Sequence, residues 1–565
     1  IRGQTRSLCG INRGIYGDYF MNGTEFIAQI LKQEGVSEMT CFPSNALIEA
    51  AAKEGIRPVM FRHERGAIMA ADGYSRMHNG DKFGVVAMQH AAGAENSMGG
   101  LSQAYGDNVP ILVLPGGYPI EQRHVRPNFS AADNWKGVTK SIQTIDTPSQ
   151  IKDVMRRAFQ ALRNGNGGPV VVEMTLDVCA MEVPADALDY KSPVVSKSVP
   201  SKTDIQDAVK ILLAADRPMI WAGRGVLAAQ ASVELAEFAE LTDIPVFTTM
   251  EGKSAYDERL PLALGAGSGA TTGPAFEWIN ESDVILGIGT SLSNNSYTRK
   301  VPVGKKIIHN TINTEDVNKG TPSDIGLIGD AKLTLSALIE EVKAQIGDGG
   351  RDTGVASHIA NVKAKWMAEW SPILNSNDAP LNPYRVINEI DKNLDHENSV
   401  VTHDAGGPRD CMVPFYTATT PNSYIGWGKT THLGFGIPLM IGAKLADPSK
   451  FCLNYMGDGA WGMSGTDTAA AAMMGLPITT VLLNNGGMAT YPGGFPTARE
   501  QYDVSAMVGD YAKITEGMGG VGIAVSKPEE LGPAILKARQ LNDEGKTVLI
   551  DVKSNYESRK SFFGR

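Results

Sequence analysis

The chain is expected to be α/β, with three consecutive domains, each a mainly parallel sheet carrying helices on both faces. Three observations predict this. Short apolar segments of strand length alternate with helix-length segments, the pattern of a sheet covered on both sides. Two breaks divide the alternation: a Pro- and Ser-bearing stretch, 184–202, and Gly347-Asp348-Gly349-Gly350. A chain of 565 residues also suits about three domains of ordinary size.

Residues 1–20 carry Arg2, Arg6 and Arg13 without helical or strand period, and are set aside as a leader or an extension foreign to the fold. The first block, 21–195, alternates a helix at 23–34 with strands at 84–88, 111–114 and 169–173, and has a small-residue helix at 67–74. The second, 203–346, has strands at 219–222, 246–248, 284–288 and 306–309. The third, 383–552, is followed by a tail, 553–565, bearing Lys553, Arg559, Lys560 and Arg565 beside Tyr556, Phe562 and Phe563.

Composition excludes several classes. A net charge of -10 argues against nucleic acid as a partner, since counterion-driven binding needs a basic surface. No apolar run reaches the length of a membrane span. Cys9, Cys41, Cys179, Cys411 and Cys452 are odd in number and lack CxxC spacing, so they read as small reduced hydrophobes of a cytoplasmic protein.

The segment richest in chemistry begins at Gly457-Asp458-Gly459. It follows a buried strand at 453–456 and precedes a helix at 466–475 and a second strand at 478–483, which delivers Asn484-Asn485-Gly486-Gly487. Gly457 and Gly459 let the backbone bend. Asp458 offers a carboxylate to a hard cation, Asn485 an amide oxygen beside it, and the helix 466–475 its N-terminal amides to an anion. One carboxylate and one amide leave room for water and phosphates, which suits magnesium.

Gly-Asp-Gly, 24 intervening residues at 460–483 and Asn-Asn resemble the cofactor motif of thiamine diphosphate-dependent enzymes. The branch indicated is that of acetolactate synthases, oxalyl-CoA decarboxylases and 2-hydroxyacyl-CoA lyases. The resemblance implies metal ligation by Asp458, Asn485 and the carbonyl of Gly487, with Gly457, Gly459, Ala460 and Met488 against the cofactor. Arg62-His63-Glu64-Arg65-Gly66 matches the segment holding the family's catalytic glutamate, so Glu64 is implied to act on the aminopyrimidine and allow the thiazolium ylid to form. Thr430-Thr431-His432-Leu433-Gly434 matches the region of the apolar wedge. Leu433 would bend the cofactor, while the Thr431 carbonyl and the Leu433 amide hold the pyrimidine edge. Asp404-Ala405-Gly406-Gly407-Pro408-Arg409 matches a loop near the diphosphate. Acetolactate synthases usually have Gln-His where Gly407-Pro408 stand, so the contacts would be backbone amides around Gly406 and Gly407, aided by Arg409.

Gln89-His90-Ala91-Ala92 replaces the Ser-Gly-Pro-Gly type of loop of acetolactate synthases. His90 and Gln89 are the expected proton carriers at the substrate. His63, His124, His403 and His432 read as structural groups. Tyr118, Arg126, Tyr491 and Glu500 are weaker substrate candidates on flanking loops. In the second block Gly223-Arg224-Gly225 lacks a full GxGxxG, Arg224 reads as a surface arginine, and Gly289–Asn294 stands where flavin-binding relatives are Arg/Asp-rich. Bound flavin is therefore not expected, although an ADP or CoA nucleotide remains open.

The implied activity is magnesium-dependent making or breaking of a carbon-carbon bond beside a carbonyl. A 2-hydroxyacyl-CoA lyase-like reaction is the first reading, with the basic aromatic tail as a lid docked near 488–496. The alternatives are an acetolactate synthase-type carboligase or 2-oxo acid decarboxylase, and, in another class, a non-catalytic scaffold relative. Substrates would be a 2-oxo acid, an aldehyde or ketone, or an acyl-CoA. Since Glu64 and Asp458 come from different subunits in the family, a homodimer or homotetramer is implied.

Overall fold

The computed structural model describes residues 20–295, 297–488 and 494–563. Three parallel sheets follow one another along an α/β chain. The first contains β1 (Glu38–Cys41), β2 (Arg57–Met60), β3 (Gly84–Met88), β4 (Ile111–Gly117), β5 (Ser141–Ile145) and β6 (Pro169–Thr175), in the order β2-β1-β3-β4-β6-β5. The second contains β7 (Pro218–Ala222), β8 (Val246–Thr249), β9 (Ala263–Gly267), β10 (Val284–Ile288), β11 (Lys306–Thr311) and β12 (Ile325–Ile328), in the order β12-β11-β10-β7-β8-β9. The third contains β13 (Ser399–His403), β14 (Phe451–Gly457), β15 (Thr479–Asn484), β16 (Val521–Val525) and β17 (Val548–Lys553), in the order β13-β14-β15-β17-β16. Strand β3 is buried along its whole length, which is why it reads as an unbroken apolar run.

The helix expected at 466–475 is present as Asp467–Met474, and a second, shorter helix precedes it. Asp458–Ser464 starts directly at the Gly-Asp-Gly turn, and Asp467–Met474 follows and ends at Gly475, whose φ is +64°. The break has a packing cause: a β-carbon on Gly465 would stand 2.4 Å from the Trp461 ring. The amides at the turn therefore come from residues right after Asp458, and not from residue 466 onward.

The first and third domains share a core. Ile68, Ala71 and Leu101 of the first cluster with Trp427, Ile437 and Met440 of the third. The helices Glu64–His78 and Gly436–Ala446 approach closely because glycines face each other's backbone. A β-carbon on Gly73 would lie 2.2 Å from Leu439 O, and one on Gly442 1.9 Å from Ala70 O.

A long helix, Val355–Leu374, joins the second and third domains, burying Trp366 and Trp370. The tail packs onto this junction, while the 488–496 loop, near which a lid was expected, lies partly outside the described residues. Trp366 Nε1 donates to Ser561 Oγ at 3.0 Å, Tyr384 Oη to Arg559 O at 2.7 Å, and Phe562 stacks on Phe276 with ring centres 4.3 Å apart. These partners come from the long helix, the third domain and the second domain. Among the described residues no helix is long and apolar enough to cross a membrane.

Candidate active site

Strands β14 and β15 are parallel neighbours with Gly457 opposite Leu483, so Asp458 and Asn485 emerge at one edge. Asp458 is buried; its Oδ1 accepts from Gly459 N at 2.8 Å and its Oδ2 from Gly486 N at 3.0 Å. Burial pushes its carboxyl above the usual range. Asn485 Oδ1 accepts from Gly487 N at 3.0 Å. A β-carbon on Gly459 would meet the Met488 side chain at 2.9 Å. Gly457, Asp458, Gly459, Ala460, Asn485, Gly487 and Met488 thus form one contiguous turn.

Strand β13 lies beside β14, with His403 opposite Tyr455, and brings the 404–409 loop to the same edge. Asp404 is fully buried and accepts from Ala405 N, Gly434 N and Gly436 N at 2.8, 3.0 and 2.9 Å, tying this loop to the one carrying Leu433. Burial raises its carboxyl to about 6. β-Carbons on Gly406, Gly407 and Gly457 would all meet nothing within 4 Å. That open, backbone-walled cradle beside a buried carboxylate fits an anionic diphosphate with a hard cation, in keeping with an all-oxygen donor set. Arg409 turns elsewhere: its Nε pairs with Asp410 at 3.0 Å and its guanidinium lies over Tyr297 at 5.6 Å.

Glu64 opens its helix and is buried. Asn96 Nδ2 donates to its Oε2 at 3.3 Å, and His63 Nδ1 stands 4.0 Å away. A β-carbon on Gly93 would sit 3.2 Å from Glu64 Oε1 and 3.0 Å from Gln89 Cβ, so Gln89 and Gly93 wall the carboxyl. The flanking arginines are engaged by the third domain: Arg65 Nη2 donates to Met463 O, and Arg62 N to Asp467 Oδ1 at 3.4 Å. Asp467, buried against this turn, is pushed to about 7 by its burial.

His90 packs edge-on to Tyr118, ring centres 4.9 Å apart, at the ends of β3 and β4. Asn45 Nδ2 joins those ends by donating to Met88 O and Leu114 O at 2.9 and 3.0 Å. Leu433 is half-buried against the shared core, and Thr431 precedes it by two positions with φ +57°. Arg126 and Glu500 are exposed and join none of these groups; Tyr491 lies outside the described residues. His403 is a structural histidine, stacked on Trp427 at 5.2 Å and pushed down to about 3, chiefly by burial. The matched loop 404–409 contained Asp404 without marking its carboxylate, and sequence patterning gave no signal for Asp467, whose partner Arg62 is remote in the chain.

A separate cavity of about 560 Å³ opens at the ends of β7 and β10, where the second sheet's strand order reverses. Arg224 lines it and is no surface arginine; burial, aided by Arg76, lowers its guanidinium to about 10. Asp107 and Lys429, from the first and third domains, also reach this cavity.

Family models described as "Thiamine pyrophosphate enzyme" match all three parts: the N-terminal TPP binding domain at 21–148, the central domain at 205–338 and the C-terminal TPP binding domain at 404–552. The chain belongs to the thiamine pyrophosphate enzyme family. A probable acetolactate synthase large subunit of Methanococcus aeolicus is 29% identical over 545 residues, covering 92% of this chain and 90% of the relative. The acetolactate synthase large subunit of Haemophilus influenzae is 27% identical, covering 94% of each chain. The glyoxylate carboligase of Escherichia coli O157:H7 is 28% identical, covering 92% of this chain and 91% of the relative. This thiamine pyrophosphate enzyme spans nearly the full length of these relatives.

Proposed function

We propose that the protein is a magnesium- and thiamine diphosphate-dependent carboligase that takes a 2-oxo acid, as the glyoxylate carboligase does by name. The observation that carries this is the buried Asp458 facing a backbone-walled cradle, within a chain that matches both TPP binding domains. Asp458, Asn485 Oδ1 and the Gly487 carbonyl would hold the metal, and the amides around Gly406 and Gly407 the diphosphate. Thiamine diphosphate, when bound, supplies a nucleophilic carbon and an electron sink. Glu64 holds the proton exchanged with the pyrimidine ring, kept from solvent by Gln89, Gly93 and Asn96. Half-buried His90, backed by Tyr118, moves a proton at the substrate oxygen. Thr431 and Leu433 orient the pyrimidine side.

A cytoplasmic homodimer is part of this reading, with light scattering as its check. The cavity at β7 and β10 would take an adenine-nucleotide portion, and protein purified without additions should show no flavin absorbance. A 2-hydroxyacyl-CoA lyase activity has less support, since the relatives carry acetolactate synthase and glyoxylate carboligase names and the tail's contacts are to Thr271 and Phe276.

The test is product analysis with magnesium, thiamine diphosphate and, in turn, pyruvate, glyoxylate and a 2-hydroxyacyl-CoA. Carbon dioxide release with a condensed product from a 2-oxo acid is expected. Cleavage of the thioester alone would transfer the protein to the lyases, and inertness toward all three would favour the scaffold reading.

A further inference from the structure

We propose that Gln103 and Asp107 are positioning residues that set the 428–433 loop, and through it the grip on the pyrimidine half of the cofactor. This rests on the reading of Thr431 and Leu433 given above. Both side chains belong to the first domain, on or capping the helix Met98–Gly106, and both are buried. The loop belongs to the third.

The contacts cover four of the loop's six residues. Asp107 Oδ2 accepts from Gly428 N and its Oδ1 from Lys429 N, each at 3.2 Å. Gln103 Oε1 accepts from Thr430 Oγ1 at 2.6 Å and from His432 N at 3.4 Å. Gln103 Nε2 donates to Asp107 Oδ2 at 2.8 Å, so the two side chains act as one brace. Arg76 backs it: Nη2 donates to Asp107 Oδ2 at 2.8 Å and Nη1 to Gly426 O at 2.7 Å, while Asp72 pairs with the same guanidinium. The loop's far side is anchored on the second domain, where Lys429 Nζ donates to Ser291 Oγ at 3.2 Å.

Within this grip, Thr431 adopts φ +57°, a conformation that a residue with a β-carbon holds only when its surroundings over-determine it. Its hydroxyl donates to Gly428 O at 2.9 Å, closing the loop on itself. Two apolar faces would suffice to join the domains. A buried carboxylate on two consecutive backbone N–H groups, with a buried amide on a hydroxyl and a third N–H, instead fixes one conformation, and the strained residue so fixed is the one whose carbonyl would meet the pyrimidine.

The experiment uses the full chain and two ligands in calorimetric titrations with magnesium: thiamine diphosphate, which engages both ends of the site, and inorganic pyrophosphate, which engages the Asp458 end only. Gln103→Met keeps the volume and removes the bonds. It should weaken thiamine diphosphate about tenfold, the scale of one net hydrogen bond, while leaving pyrophosphate within about twofold. Thr430→Val, at an exposed position, should act in the same direction, and the double variant should lose less than the product of the single effects. Should Gln103→Met fail to fold, Thr430→Val carries the same comparison. Equal losses for both ligands, or none in either variant, would overturn the positioning role. If the unmodified protein does not bind thiamine diphosphate at all, the proposed function fails, and this inference falls with it.

Discussion

The Asp458 turn and the 428–433 loop both belong to the third domain, yet they are held in opposite ways. The turn is built by its own βαβ unit, its longest bond linking residues 28 apart. The loop takes its shape from Gln103 and Asp107, which lie 321 to 329 positions away. A site made inside one unit leaves a compact glycine and carboxylate signature, whereas one made between domains leaves only scattered polar residues. The first kind should fail chemically when altered; the second should fail in domain docking.

The sharpest break of this contrast lies in the chemistry. Glu64→Gln should lower turnover by about 10²- to 10⁴-fold, the range for loss of a proton-transfer group, with circular dichroism unchanged. Asp458→Ala should abolish magnesium-dependent thiamine diphosphate binding by calorimetry at an unaltered melting temperature. Full activity or undiminished affinity in these variants would remove both residues from the site.

Next in size is the interdomain network. Arg76→Ala leaves Asp72 and Asp107 buried without their cation, and should cost about 3 to 5 kcal/mol in denaturant unfolding. A loss below about 1 kcal/mol would mean that the junction adjusts freely. Gly442→Ala should cost about 1 to 3 kcal/mol, since the new methyl meets the Ala70 carbonyl.

A pH effect sharpens the comparison further. Asp467, raised by burial to about 7 at the contact between the Glu64 turn and the third domain, is favoured protonated in the folded state. Its contribution to stability is fully present below its unfolded value and is lost as pH rises through about 7. The difference in melting temperature between Asp467→Asn and the parent should therefore grow in favour of the variant from pH 5 to pH 8; a constant difference would refute it. The smallest effect is expected at the exposed Lys136–Asp133 pair, where Lys136→Ala should change stability by no more than about 0.5 kcal/mol.

The same contrast explains what was legible in the sequence. Buried strands such as β3 and β10 announced themselves as apolar runs, and the Asp458 motif by its glycines. Glu64 was legible only through family resemblance, because the groups that wall its carboxyl, Gln89, Gly93 and Asn96, belong to a later segment. The helix at 466–475 was legible, but the short one before it, Asp458–Ser464, was not, since its end is set by the packing of Trp461 against Gly465. Arg224 looked superficial because the cavity it faces is assembled from three domains. The tail's basic and aromatic residues suggested a lid, but no local pattern could reveal Thr271 and Phe276 as their partners.

The shared core of the first and third domains also bears on how the chain is made. The helix Glu64–His78 leaves the ribosome long before Gly436–Ala446, its partner about 360 residues further on, an interval of roughly 20 to 70 s at ordinary synthesis rates. Throughout that time the face around Ile68 and Ala71 lacks its natural cover. The nascent first domain is thus a client for chaperones, and slow translation through the second domain would lengthen its exposure to aggregation.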